Sequence, residues 1–179
     1  MTLSQIAIVL GLGFALPQVY GLVEPAGYRA ALRKFPRSEP CGWVLMAIAT
    51  LWMLHYLRLE SNADIAKLKP LLYGLFIALG VGTCVLVRDF LAVRGLALVL
   101  MLAAKFVLDT ARWHESVWRL VLITWAYVWI IAGIWWTVSP WRLRDSLERK
   151  TSTDTVVRVG SGLRLAIGLF IAILGLTVL

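Results

Sequence analysis

Lys105 and Asp109 form an ionisable pair inside an otherwise apolar run, four residues apart and so on one face of any helix built there. Opposite charges placed like this in a membrane can carry an ion or a proton, and each costs about 2.5–3.5 kcal/mol on insertion scales at the bilayer centre. The structural alternative rests on two points. Lys before Asp is the weaker order for helical pairing, and Lys105 lies within about two turns of the end of its run, where its stem can snorkel to the headgroups.

His55 and His114 are the two histidines of the chain. A haem clamp needs two imidazoles facing each other, and a metal needs a third or fourth ligand, for which Glu60, Asp64 and Glu115 are the candidates. Their spacing demands no haem, chlorophyll or metal, so no cofactor is expected. Four tryptophans make a sharper pattern. Trp118, Trp125, Trp129 and Trp136 recur at steps of seven, four and seven, which puts them within about 40° of one another along a line of roughly 27 Å. Such a face packs on the protein's own helices or on lipid, receives a protein partner, or holds a flat pigment or quinone. Cys41 and Cys84 lack the CxxC spacing of redox and zinc sites and read as packing residues. The sequence has no phosphate-binding glycine loop, HExxH, nucleophile elbow or acid–base carboxylate pair, so nothing in it indicates an enzyme.

The elements that must position these residues are set by composition. With 60% hydrophobic residues, 16% charged residues and a mean hydropathy of +0.81, the chain cannot cover a water-soluble globule, and its solvent is lipid. The fold class is all-α: a polytopic membrane protein of six transmembrane helices, at about 2–23, 41–58, 70–87, 91–111, 117–138 and 159–179. The first run lacks a basic leader and a small-residue cleavage site, so it reads as a retained helix and not a signal peptide. Most of the nine tryptophans lie at or near span ends, where an indole suits the headgroup level.

Orientation follows from Lys and Arg. Twelve of the 18 fall after spans one, three and five, and the remaining six are Arg58, Lys67, Lys69, Arg112, Arg119 and Lys105. The positive-inside rule places the richer connectors in the cytoplasm and both termini outside, in the periplasm of a bacterial cell. The fourth run is interrupted by Arg94, Lys105 and Asp109. If it did not cross, the basic groups Arg29–Arg37 and Arg142–Arg164 would lie on opposite sides, so six spans fit best.

A net charge of +8 and a pI near 10.0 do not point to nucleic acid, because the cations sit in short connectors that build no recognition fold. Arg29, Arg33, Lys34, Arg37, Arg142, Arg144, Arg149 and Lys150 are read instead as lipid-headgroup contacts, at roughly 1 kcal/mol each. Two connectors resemble each other: Pro25, Arg29 and Leu32 match Pro140, Arg144 and Leu147 at identical offsets. Each starts a short interfacial helix at proline, with Ser139 as the expected N-cap of the second. In the first, Tyr28, Leu32 and Phe35 share a side opposite Arg29 and Arg33. The chain therefore reads as one domain, 1–179, of tandem hairpins at about 1–58, 70–112 and 117–179. The middle hairpin, turning through Arg88, Asp89 and Arg94-Gly95, is a shortened copy.

The hairpin at about 125–179, with its proline-started basic connector and glycine-rich return helix, resembles a family of small two-helix bacterial inner-membrane proteins of unknown function. The resemblance implies a bacterial inner (cytoplasmic) membrane and no functional residues. Small-residue ridges at Ala7-Gly11-Ala15, Gly74-Ala78-Gly82 and Gly168-Ala172 predict tight helix contacts, within the chain or in a homo-oligomer. Three functions fit these features. The expected one is a non-catalytic membrane subunit or scaffold packed within a larger complex with a membrane-protein partner or further copies. The alternatives are a small transporter or channel using Lys105 and Asp109, and a haem-, pigment- or quinone-binding subunit using His55 and the tryptophan stripe.

Overall fold

The computed structural model describes the backbone of residues 2–178 and their side chains except those at 63 and 64. Among the described residues eight α-helices follow in order: α1 Leu3–Val23, α2 Pro25–Lys34, α3 Glu39–Leu59, α4 Ala63–Leu86, α5 Leu91–Ala111, α6 Arg119–Val138, α7 Trp141–Lys150 and α8 Asp154–Thr177. A single 3-10 turn, Phe35–Arg37, links α2 to α3. Six helices are long and apolar enough to cross a membrane: α1, α3, α4 from Ile65, α5, α6 and α8.

Local chemistry sets the helix ends. Thr2 and Gln5 form a reciprocal capping box, Thr2 Oγ1 accepting from the Gln5 amide at 3.3 Å and Gln5 Oε1 from the Thr2 amide at 3.2 Å. Proline stands in the first turn of α2 and of α3, where a missing N–H leaves no gap. Thr153 caps α8, accepting from the Val156 amide at 3.3 Å, with Asp154 beside the positive helix end. That cap starts α8 five residues before the expected boundary. Pro70 does not start α4 but lies inside it, in the third turn. Ser139 makes no side-chain cap; Pro140 occupies the cap position of α7, and Ser139 serves through its carbonyl, which accepts from the Arg142 amide at 3.1 Å.

The densest packing joins the two helices most distant in sequence. α1 and α8 run antiparallel, with Ala7 opposite Gly175, Gly11 opposite Gly168 and Ala172, and Ala15 opposite Gly168. A methyl group on Gly11 would lie 2.6 Å from the Ala172 nitrogen and the Gly168 carbonyl oxygen, so only glycine permits this backbone approach. The expected ridges of spans one and six thus face each other. A second seam joins α3 to α5, where Gly42 meets Leu91 and Ala92, and Gly95 meets Leu45 and Met46. A third joins α5 to α6, with Gly133 seated on Met101 and the Ala97 carbonyl. Side chains of α1, α5, α6 and α8 close the main core, from Leu3, Ile6 and Ala7 through Ala104 and Val107 to Leu122, Ala126 and Ile171.

The long helices joined by each basic connector are not close-packed on each other; the packing crosses between the expected hairpins. α4 stands apart. Only 6% of its most apolar stretch is buried, against 39% for α5, and its main neighbour is α3, through Gly80 against Thr50.

The basic connectors meet at one end of the bundle. Arg29 pairs with Asp154 at 3.0 Å, and Arg33 donates through Nε to Thr151 Oγ1 at 3.0 Å and through Nη2 to the Thr151 carbonyl at 2.7 Å. Arg144 lies over the Phe90 ring, 5.9 Å from its centroid, which brings the middle connector to the same end. Phe90 is the residue with a left-handed backbone, at φ 56°, a conformation that costs about 1–2 kcal/mol away from glycine.

Candidate functional site

At the basic end the expected headgroup cations divide into two groups. Arg29, Arg33 and Arg144 are engaged within the protein, Arg144 holding Asp145 at 2.8 and 3.0 Å and Glu148 at 3.8 Å. Lys34, Arg37, Arg142, Arg149 and Lys150 are exposed and make no ion pair among the described residues. The last three line a groove of about 560 Å³ between the end of α6 and α7, together with Trp135 and Trp136 of α6 and Trp141 at the start of α7. Arg142 lies over the Trp135 ring, 5.3 Å from its centroid.

Beside this end lies a polar cluster that sequence reading missed. Gln18, 6% exposed, accepts at Oε1 from the Tyr28 hydroxyl and from Arg164 Nη1, each at 3.1 Å, and donates through Nε2 to the Phe14 carbonyl at 3.3 Å. One side chain thereby ties α2 and α8 to α1. Tyr28, expected on the lipid-facing side of α2, is buried in this cluster and meets Tyr20 edge-on at 6.0 Å. The legible signal was an amide and a guanidinium inside two apolar runs, where an unpaired polar group is costly.

The tryptophan stripe divides between interior and surface. Trp125 and Trp129 are half-buried against the main core, with Trp125 edge-on to Phe14 at 5.1 Å and tilted against Trp129 at 5.2 Å. Trp118 is exposed before the first turn of α6, and Trp136 turns into the basic groove. Trp125 therefore serves packing between α1 and α6, with Trp129 beside it against the main core.

The far end of the bundle holds the charged pair and the histidines. Lys105 Nζ meets Asp109 Oδ2 at 2.5 Å and lies 4.8 Å from the centre of the Tyr56 ring, and the two side chains are 53% and 48% exposed. Lys105 also lines an apolar cleft of about 410 Å³ among α3, α4 and α5, with Met46, Met53, Phe76 and Met101. His55 is exposed on α3. His114, in the α5–α6 connector, accepts at Nδ1 from the Ser116 amide at 3.2 Å, and its carbonyl accepts from Arg119. Among the described residues no three His, Cys, Asp or Glu side chains come together, so His55, His114, Glu60 and Glu115 assemble no metal centre. The Asp64 side chain lies outside the described residues.

The third small-residue ridge has no partner in the fold. A methyl group on Gly74 or on Gly82 would meet nothing within 4 Å, and Ala78 between them is exposed. Identical spacing in α1 is closed by α8; in α4 it is open along the helix. No protein-family model, curated protein or solved structure matches the chain.

Proposed function

We propose that the protein is a non-catalytic integral membrane subunit that packs through α4 within a larger membrane complex, in a bacterial inner membrane with both termini periplasmic. One observation carries the reading: a full-length apolar span is left almost bare by its own fold, with a glycine–alanine–glycine ridge shaped for close helix approach. The other long apolar helices have between 17% and 39% of that stretch buried. Lys105 and Asp109 support a structural part over a transport one. They pair with each other, half-exposed, within two turns of the end of α5, where the lysine stem can snorkel and the cost of a midplane charge is reduced.

Extraction in a mild detergent tests the proposal. The wild-type chain is expected in a stoichiometric assembly larger than itself, and Gly74→Leu with Gly82→Leu is expected to release it. Both substitutions point into open space, so the variant folds and the loss is specific to assembly. A wild-type chain recovered only as a lone monomer contradicts the reading. Crosslinking from Gly74→Cys identifies whether the neighbour is a second copy or another protein.

A further inference from the structure

The groove at the end of α6 combines features that a generic basic connector does not have. Arg142, Asp145, Ser146 and Arg149 follow one another on α7 at steps of three, one and three, so they occupy one helix face, and that face lines the groove. Leu143, on another face of α7, is buried in the protein, which fixes the helix and turns its polar side outward.

The groove lining contains one carboxylate, Asp145, which is ion-paired to Arg144. Arg144 holds Asp145 through both Nε and Nη2 and takes Glu148 as well, so both acidic groups of α7 belong to one guanidinium. Helix α7 carries four cations against two carboxylates, a net charge of +2, and Arg142, Arg149 and Lys150 stand around one concavity with no ion pair among the described residues. Arg142 lies over the Trp135 ring at 5.3 Å, a cation–π contact that positions the guanidinium and consumes none of its N–H donors, which stay available to an anion.

The tryptophan part of the lining is apolar and wet at its tips. Trp135 and Trp136 stand in the last turn of α6 and Trp141 at the start of α7, each offering a broad ring and one N–H donor. A small anion would satisfy the cations and leave these rings unused; an acyl chain alone would do the reverse. The groove calls for one molecule with a phosphate next to a glycerol ester and a hydrocarbon tail. Its volume of about 560 Å³ falls in the range of ligand pockets.

We propose that this groove is a specific binding site for an anionic phospholipid. Arg142, Arg149 and Lys150 hold the phosphodiester, and Trp135, Trp136 and Trp141 pack on the glycerol and the first methylenes. The site is independent of the α4 face, so either inference can fail while the other holds.

Native mass spectrometry of the full chain in detergent tests it, with phosphatidylglycerol, phosphatidylcholine and inorganic phosphate as probes. The wild type is expected to retain one phosphatidylglycerol at least about tenfold more tightly than phosphatidylcholine. The triple variant Arg142→Gln, Arg149→Gln, Lys150→Gln should lose that preference. All three side chains are exposed, so the fold is retained. Lys34→Gln with Arg37→Gln, exposed cations of the other connector, should leave the preference intact. Trp135→Leu should weaken retention at least about threefold by freeing Arg142. Equal retention of both lipids by the wild type overturns the proposal. So does an equal loss in both charge variants, which would indicate a diffuse surface field. Displacement of the lipid by millimolar inorganic phosphate would show that the site reads free phosphate and also overturns it.

Discussion

Arg33 and Lys34 are neighbours in sequence with different work to do. The guanidinium of Arg33 spans two acceptors of one residue, and Thr151, 2% exposed, depends on it and on the Leu147 carbonyl for its polar atoms. An ammonium cannot reproduce that fork. Arg33→Lys is therefore expected to destabilise the protein by about 1 kcal/mol, and Lys34→Ala by nothing measurable, in thermal unfolding followed by tryptophan fluorescence. Gln18→Leu removes the acceptor shared by Tyr28 and Arg164, leaving a buried hydroxyl unpaired, and should cost about 2 kcal/mol in the same measurement. The Lys105–Asp109 pair is half-exposed, and Asp109→Asn should change stability by no more than about 0.5 kcal/mol and leave assembly untouched. Abolished assembly in that variant, with folded yield unchanged, would give the pair a functional part that the present reading denies it.

At the scale of the helices, glycine decides where two backbones meet. Gly11→Leu or Gly168→Leu must part α1 from α8 and is expected to cost about 3 kcal/mol or more, seen as lost folded yield. Gly13→Leu, two residues from Gly11 and with nothing within 4 Å, should be tolerated. The spans were legible from the sequence because apolar length is a local property, and all six emerged within a few residues except where Pro70 and Thr153 moved a boundary. Helix partners were not legible. Periodicity identifies which face of a helix is small or aromatic, and the ridges at Gly11 and at Gly74 read alike, yet one is closed and the other open. The tryptophan stripe shows the same limit, because four indoles on one line still divided between Phe14, the surface and the basic groove. The groove itself drew in Trp135 and Trp141, which lie off the stripe and on either side of Pro140 in sequence. Only the turn from α6 into α7 brings them together.

For the molecule as a whole, the alternation of charge along the chain becomes a geometry. Arg29 on Asp154, Arg33 on Thr151 and Arg144 on Phe90 draw the three connectors that follow spans one, three and five to one end, as six crossings require. The first span then finds its main partner in the last. Removal of residues 154–177 should leave α1 without its seam and the truncated chain unstable, with recovery when that segment is supplied as a separate helix, since membrane helices associate after insertion. The most direct test of the whole account is cysteine labelling in intact cells on a background with Cys41 and Cys84 replaced by Ala. Cysteines at Ser61 and Glu115 should react with a membrane-impermeant maleimide, and cysteines at Arg37 and Arg149 should react only after permeabilisation. Labelling of positions 37 and 149 from opposite sides would contradict it.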